Sequence, residues 1–414
     1  MGKHETILSD SSFDLRSTHA DLIRSLVTLQ AAVLGLLTAL AMLLNSSPGG
    51  IATIVLLARV MKRQPVSALT AWGATYVPVT AVWALSALDG PVEMAGAVLG
   101  YALCGAGFYG GAEFLCSRLL RAYPSLVLGV ALGIAEASAA ALGLVMAPIG
   151  LSAVNGSLGY LVAWFSVIGA SLIIGVAASV AERYIRFAFP VVLLVSYLLS
   201  QVPGPARPEY DGPLIYGIAH NPDPKLKWSS PAHAAENLER LQEMSDIVAG
   251  DGLIVWPEGA VTGTFDLGEA ISKLDPSHLP LLFGMTRYNS EGSPDLRNSA
   301  VLVTEDGVQV SDKEWLVPFY EGGVPFVYAS DLEPGTRQIL TLPNGTRILS
   351  LICFEMFMPR AWILGRPDAD LIVVLSAEAG FLQGVFSSIA DRHARARELE
   401  TGLRVILVGD RVSL

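Results

Sequence analysis

The sequence predicts a chain in two parts: a polytopic α-helical membrane bundle, then a layered α/β domain with two sheets sandwiched between helices. Three observations carry this prediction. Apolar residues make up 52% of the 414 residues and charged residues only 16%, with a mean hydropathy of +0.50; a surface facing water on all sides needs more charge. The composition then changes abruptly near Pro203, from long apolar runs to strand-length runs separated by charged residues. Finally, Val202-Pro-Gly-Pro-Ala-Arg-Pro at that boundary holds three prolines, which cannot continue a helix, and reads as a linker. The expected division is residues 1–202 in the membrane and 203–414 outside the cytoplasm.

Seven apolar segments lie near 26–44, 50–60, 66–88, 93–117, 125–147, 157–181 and 187–201. A spanning helix needs about 20 apolar residues, so the second and seventh are short. The first run starts late and has no A-x-A site, so it reads as a span rather than a leader. Charge in the loops gives the orientation. Lys3, Arg16 and Arg24 precede the first segment, Lys62 and Arg63 follow the second, Arg118 and Arg121 the fourth, and Arg183 and Arg186 the sixth. The alternate loops (45–49, 89–90 and 149–156) carry no Lys or Arg. Positive residues stay cytoplasmic. The N-terminus is therefore expected inside and the second half outside, in the periplasm of a Gram-negative cell, on a multi-pass protein of the bacterial inner membrane. Glu113 and Glu136 fall in apolar segments, where carboxylates are costly and mark function by default. Glu136 is the deeper one and the membrane-embedded candidate; Glu113 is expected to face the headgroups near Arg118. Gly107-x-x-x-Gly111 is expected to let two helices approach closely.

In the second half, Pro213-Leu-Ile-Tyr-Gly-Ile reads as a buried strand. Residues 234–248 place Leu238, Leu241, Met244, Ile247 and Val248 on one helical face, and Gly250-Asp-Gly ends that helix. Strands follow at 253–256, 280–284 and 300–304, with a turn at Glu305-Asp-Gly and a further short strand. Continuous apolar runs at 348–352 and 371–376 suit strands covered on both faces. A charged helix over 390–401 and a last strand from Arg404 complete the reading.

Several function classes are excluded. A net charge of −11 argues against nucleic acid as a partner. Cys104, Cys116 and Cys353 form no disulfide framework. The His residues lack metal-ligand spacing, and Walker, GxGxxG and GxSxG motifs are absent, so no metal or cofactor is expected.

Three motifs stand at strand ends, where side chains from separate strands can converge. They are Trp256-Pro-Glu258, Asp312-Lys313-Glu-Trp-Leu-Val-Pro-Phe-Tyr-Glu321 and Ile352-Cys353-Phe-Glu355. Together they resemble the carbon–nitrogen hydrolase (nitrilase) superfamily, with its Glu-Lys-Cys triad and α-β-β-α sandwich. With the apolar half in front, the chain is similar to the apolipoprotein N-acyltransferases, and within them to the conjugal-transfer TraB subgroup. Asn289-Ser290 and Arg397-Glu-Leu-Glu400-Thr-Gly402 extend the resemblance. It implies that Glu258 is the base that takes the Cys353 proton in the apolar surroundings of Trp256 and Pro257. Cys353 attacks an acyl carbonyl as thiolate, and Lys313 with the Phe354 N–H stabilises the oxyanion. Glu321 supports Lys313, and Glu355 orients the nucleophile's surroundings. The implied partners are a phospholipid acyl donor, a lipoprotein or other amine acceptor, and the bilayer. Two departures stand out: Ser311 where a Tyr is usual, and Ala377-Glu378-Ala-Gly-Phe381 where Asn and Trp are usual. Arg395 and Arg397 read as a solvated helix face or structural ion pairs, and His393 as a packing residue. The same triad also suits a periplasmic amidase, and the altered loop at 377–381 suits a non-catalytic component of a conjugation apparatus.

Overall fold

The computed structural model describes residues 15–44, 47–62, 65–81, 91–142, 144, 148–185, 187–219, 230–248, 252–290, 292–318, 321, 331–358, 368–377, 383–409 and 412–413. Each predicted apolar segment holds a helix. These are α1 (Leu15–Leu43), α2 (Ser47–Met61), α3 (Pro65–Thr80), α4 (Pro91–Leu119), α5 (Pro124–Ala141), α6 (Gly159–Tyr184) and α7 (Ala188–Gln201). Proline opens α3, α4 and α5, where its missing N–H leaves no helical bond unmade.

Length corrects the expectation of about seven full spans. Among the described residues, Asp21–Leu43 and Gly156–Tyr184 are long and apolar enough to cross a membrane, while Pro48–Met61, Leu126–Ala139 and Ala188–Gln201 are shorter apolar helices. The 15 residues of α2 rise about 22 Å, against a hydrocarbon core of about 30 Å. The segment predicted over 66–88 is helical only to Thr80, and its remainder from residue 82 lies outside the described residues.

Close helix approach does occur, but not at the expected glycines. A Cβ on Gly107 or Gly111 would meet nothing within 4 Å, whereas one on Gly73 would lie 2.5 Å from the Gly105 carbonyl oxygen of α4. Backbone contact between α3 and α4 therefore runs through Gly73 and Gly105, on another face of α4 from the GxxxG pair. Glu113 is fully buried rather than turned to the headgroups, and Arg118 instead stacks over the Phe114 ring at 4.1 Å. Glu136 is buried too, and its Oε1 accepts from the Ile149 N–H at 2.9 Å. That bond anchors a buried 3-10 turn, Ile149–Ala153, against the bundle.

The second half is a four-layer sandwich. One sheet orders β1 (Leu214–Gly217), β2 (Gly252–Val255), β3 (Leu281–Tyr288), β4 (Leu296–Thr304) and β5 (Gly307–Asp312), parallel through β3 and antiparallel after it. The other orders β10 (Val412–Ser413), β9 (Arg404–Val408), β8 (Leu371–Leu375), β7 (Arg347–Ile352) and β6 (Ile339–Thr341), with β7, β8 and β9 parallel. The middle strands of the first sheet, β2 to β4, are buried on both faces. Leu253, Val255, Leu282 and Leu302 point toward the second sheet, while Ile254, Trp256, Phe283 and Val303 join the cluster beneath α8 (Pro231–Ile247). Continuous apolar runs are what two covered faces demand.

α10 (Gln383–Thr401) covers the outer face of the second sheet and packs against α6, so the two halves share one core. Arg392 of α10 bonds the Met42 carbonyl, Glu400 accepts from the Val167 N–H at 2.8 Å, and the Tyr101 hydroxyl donates to the Pro318 carbonyl at 3.2 Å. These contacts all fall toward the end of the bundle that carries the uncharged loops. Arg395 and Arg397 form ion pairs, with Glu398 at 3.0 Å and Glu400 at 2.8 Å. Arg397 is nevertheless buried, so α10 presents no solvated face there; the bundle occupies it. His393 is buried edge-on to Phe357, ring centroids 4.6 Å apart, as a packing residue should be.

Candidate active site

Each predicted triad member follows the end of a strand, β2 and β7 buried and β5 partly exposed. β2 runs into Trp256, whose indole N–H donates to Ser245 Oγ at 2.9 Å, and then into a turn at Glu258-Gly259. β3 must pass close under that turn. A Cβ on Gly284 would stand 2.5 Å from the Glu258 Cα, so only glycine fits. β5 delivers Lys313, whose N–H bonds the Asn298 carbonyl of β4 at 2.7 Å. β7 ends at Ile352, and Cys353 opens a 3-10 turn, Cys353–Phe357, at φ +47°. A non-glycine residue in that left-handed region costs about 1–3 kcal/mol and persists where the surroundings enforce it. The turn here is held by Glu355, whose Oε2 accepts from Ile352 N at 2.8 Å. Glu355 Oε1 accepts from Glu314 N at 2.8 Å and from Arg337 at 2.7 Å. Glu355 thus ties the nucleophile turn to the loop that follows Lys313.

Lys313 is fully buried between two carboxylates: its Nζ lies 2.7 Å from Glu321 Oε1 and 3.4 Å from Glu258 Oε1. Burial alone would push its proton off, but the Glu321 and Glu258 charges outweigh burial and hold the ammonium above its ordinary value. Glu321 also accepts from Val317 N at 2.9 Å. Glu258 Oε2 accepts from Ala377 N at 3.1 Å, so the first residue of the altered loop touches the site through its backbone; Glu378 to Phe381 lie outside the described residues. Burial pushes the Cys353 thiol well up, and the Glu258 charge adds to this while Lys313 opposes it. Burial therefore favours the neutral thiol at Cys353. Parallel pairing of β7 with β8 sets Ser376 beside it, Oγ to Sγ 3.9 Å. The Phe354 N–H leads the 3-10 turn, where the first N–H groups have no acceptor within the turn, and its ring is buried at 5.9 Å from Phe357.

The structure thus gathers Glu258, Lys313, Cys353, Glu321, Phe354 and Glu355. Glu136 stands apart in the helical half. Asn289 and Ser290 sit in the exposed β3–β4 turn. Ser311 acts structurally, accepting from Gln338 N at 3.0 Å. One site residue is new. Asn298 of β4 is buried and its Nδ2 donates to Glu258 Oε1 at 2.7 Å and to Glu321 Oε1 at 3.4 Å. The sequence signal was its place in phase with Ala300 and Leu302, an inward polar residue on a buried strand.

Residues 226–412 match the carbon-nitrogen hydrolase family. Over those residues the chain resembles a carbon-nitrogen hydrolase domain. The chain is 29% identical over 178 residues to an apolipoprotein N-acyltransferase of Allorhizobium ampelinum, covering 37% of this chain and 33% of that protein. It is 29% identical over 207 residues to the one of Azotobacter vinelandii, covering 45% and 40%. The match to the one of Rhizobium rhizogenes is 31% over 179 residues, covering 37% and 33%. The matched stretch is therefore a third to two fifths of the length of these relatives. Among solved structures, an amidase from Nesterenkonia sp. AN1 is similar at 16% identity and a TM-score of 0.34, covering 47% of this chain and 75% of that one. The Glu258, Lys313 and Cys353 motifs all lie within the matched residues, and the fold brings them together.

Proposed function

We propose that the chain is a membrane-bound thiol acyltransferase that moves an acyl chain from a phospholipid, through a thioester on Cys353, to an amine such as a lipoprotein N-terminus. Cys353 Sγ attacks the ester carbonyl while Glu258 takes the thiol proton. The Lys313 ammonium and the Phe354 N–H bear the negative charge of the tetrahedral intermediate. Collapse breaks the ester C–O bond, and Glu258 returns the proton to the departing alcohol. The amine then attacks the thioester, gives a proton to Glu258, and Cys353 leaves as the thiol.

The observation that carries this reading is the shared core: the helix behind the nucleophile sheet, α10, packs directly on α6, one of the two helices of spanning length and composition. Other features support a polytopic bundle in the inner membrane. Large apolar residues such as Leu29, Leu103, Trp164 and Leu194 are exposed on four different helices, which is rare on a soluble monomer. The catalytic domain docks at the end with uncharged loops, while Lys62, Arg121 and Arg183 line a cavity at the other end. Positive residues inside would put that domain in the periplasm. Near the docking end, a cavity of about 1050 Å³ is lined by Leu44, Asn155, Leu194, Tyr197 and Gln201 among others, a mixed lining suited to a lipid near the interface.

The test is the intact mass of the purified protein after mixing with phospholipid in detergent, beside Cys353→Ser. A hydroxylamine-labile acyl adduct on Cys353, absent from the variant, is expected. No adduct, together with Cys353-dependent ammonia release from small amides, would replace acyl transfer with the amidase reading. Service to conjugal transfer rests on the sequence resemblance; a Cys353→Ala strain with undiminished plasmid transfer would argue that catalysis is not what conjugation needs.

A further inference from the structure

The end of the bundle remote from the catalytic domain holds a cavity of about 510 Å³. Its wall is apolar, with Ala58, Met61, Leu120, Val127 and Leu128, and its polar lining is Lys62, Ser117, Arg121, Ser179 and Arg183. The cations come from three separate connections: after α2, after α4 and at the end of α6. The only carboxylate paired with them among the described residues, Glu182, is already met by Arg59 at 3.0 Å and by Lys62 at 3.6 Å. Arg121 and Arg183 have no carboxylate partner among the described residues. The Ser117 hydroxyl oxygen is covered and without a hydrogen-bond partner among them. Leu119, Tyr123 and Tyr184, next in sequence to lining residues, are among the most exposed apolar side chains of the molecule, which places the cavity at a lipid-facing rim.

We propose that this cavity seats the headgroup of an anionic phospholipid from the leaflet opposite the catalytic domain, a site separate from acyl transfer. The proposal rests on the membrane reading above. Two uncompensated guanidinium groups suit a phosphate oxygen pair, and basic pockets between membrane helices on the cytoplasmic side take anionic lipids for this reason. The apolar wall favours a lipid over a free anion, because an acyl chain adds apolar contact along the half-buried Leu120 and Val127 that inorganic phosphate does not. A zwitterionic headgroup would bring its own cation to Arg121 and Arg183. The volume is in the range of small-ligand cavities, about 300–1000 Å³.

Native mass spectrometry of the full chain in detergent, doped with equal amounts of phosphatidylglycerol and phosphatidylcholine, tests this. The wild type is expected to retain phosphatidylglycerol selectively, and the Arg121→Gln/Arg183→Gln double variant to lose roughly tenfold in apparent affinity. Arg118→Ala, whose guanidinium lies over Phe114 outside the cavity, should keep the preference. A thermal melt shows whether the double variant is folded; if it is not, Arg121→Lys and Arg183→Lys singles, each keeping its charge, are expected to retain the selectivity. Equal retention of both lipids, undiminished phosphatidylglycerol binding in a folded double variant, or displacement by excess inorganic phosphate would each overturn the lipid site. Recovery of the chain in the soluble fraction without detergent would instead overturn the membrane reading on which the site rests.

Discussion

Around Lys313 three polar side chains do different work. Glu321 neutralises the ammonium at 2.7 Å, Glu258 keeps a looser 3.4 Å contact, and Asn298 holds Glu258 at 2.7 Å. In the proposed mechanism the looser contact leaves Glu258 available for proton transfer, and Asn298 fixes where it points. Asn298→Ala is therefore expected to lower kcat about a hundredfold with little change in KM. Asn298→Asp should be worse, because a third carboxylate would crowd the same ammonium; steady-state kinetics on both variants checks the order. The Cys353 thiol, held above its ordinary value of 9.0 by burial and then by Glu258, gives a pH prediction. Alkylation by iodoacetamide should be half-maximal above pH 9 in the wild type. It should move to lower pH in Glu258→Gln, where one of the opposing charges is gone but burial remains. The sign for stability follows. A raised folded value means the folded state keeps the proton longer, so this contribution is intact below the unfolded thiol value of about 8.5 and is lost as pH rises beyond it. Cys353→Ser should flatten the alkaline fall in melting temperature. The convergence of Glu258, Lys313 and Cys353 was legible because each stands in a multi-residue motif behind a strand. Asn298 was not, because a single inward Asn on a strand looks like any polar residue until the partner strands are in place.

At the scale of elements, the join between the halves is built from polar contacts in a buried setting. α6 breaks at Ser166, φ +64°, and the Val167 N–H after the break is accepted by Glu400 of α10. Glu400 also pairs with Arg397, which bonds the Met358 carbonyl just beyond the nucleophile turn. Glu400→Ala would leave the buried Arg397 guanidinium without its counter-charge and the buried Val167 N–H without its acceptor. A loss of about 3–5 kcal/mol is expected, seen as a lower melting temperature in detergent, whereas Glu398→Ala, whose partners Arg207 and Arg404 are partly exposed, should cost less. Strands of four or more residues with apolar runs were readable from the sequence, as at β7 and β8. Short elements such as α9 (Leu267–Ser272) and β6 were not, because three to six residues carry no period. The Gly107–Gly111 spacing misled for a related reason: the pattern says that a helix can be approached, but the neighbour decides which face is used, and α3 chose Gly105.

For the whole molecule, the partition of charge and of docking contacts makes one claim about direction. Lys62, Arg121 and Arg183 gather at one end of the bundle, and Met42, Tyr101 and Val167 meet the catalytic domain toward the other. The change from long helices to strands near Pro203 was legible because a shift in composition over tens of residues marks it. The lengths of individual helices were not, since broken and half-length helices such as α2 gain their packing from neighbours that a hydropathy window does not see. If the bilayer lies across the bundle between these two ends, a periplasm-dependent alkaline phosphatase fused after residue 203 will be active, and fusions after Lys62 or Arg121 will be inactive. A fluorescent reporter that folds only in the cytoplasm will give the reverse pattern at all three points. Removing the Lys62 and Arg121 charges together should weaken that contrast, because positive residues hold their loops inside at a cost of translocation rather than through any contact with the catalytic domain. Activity of the phosphatase at Lys62 in the unaltered chain would place the second half on the cytoplasmic face and would redirect the function toward a cytoplasmic amide.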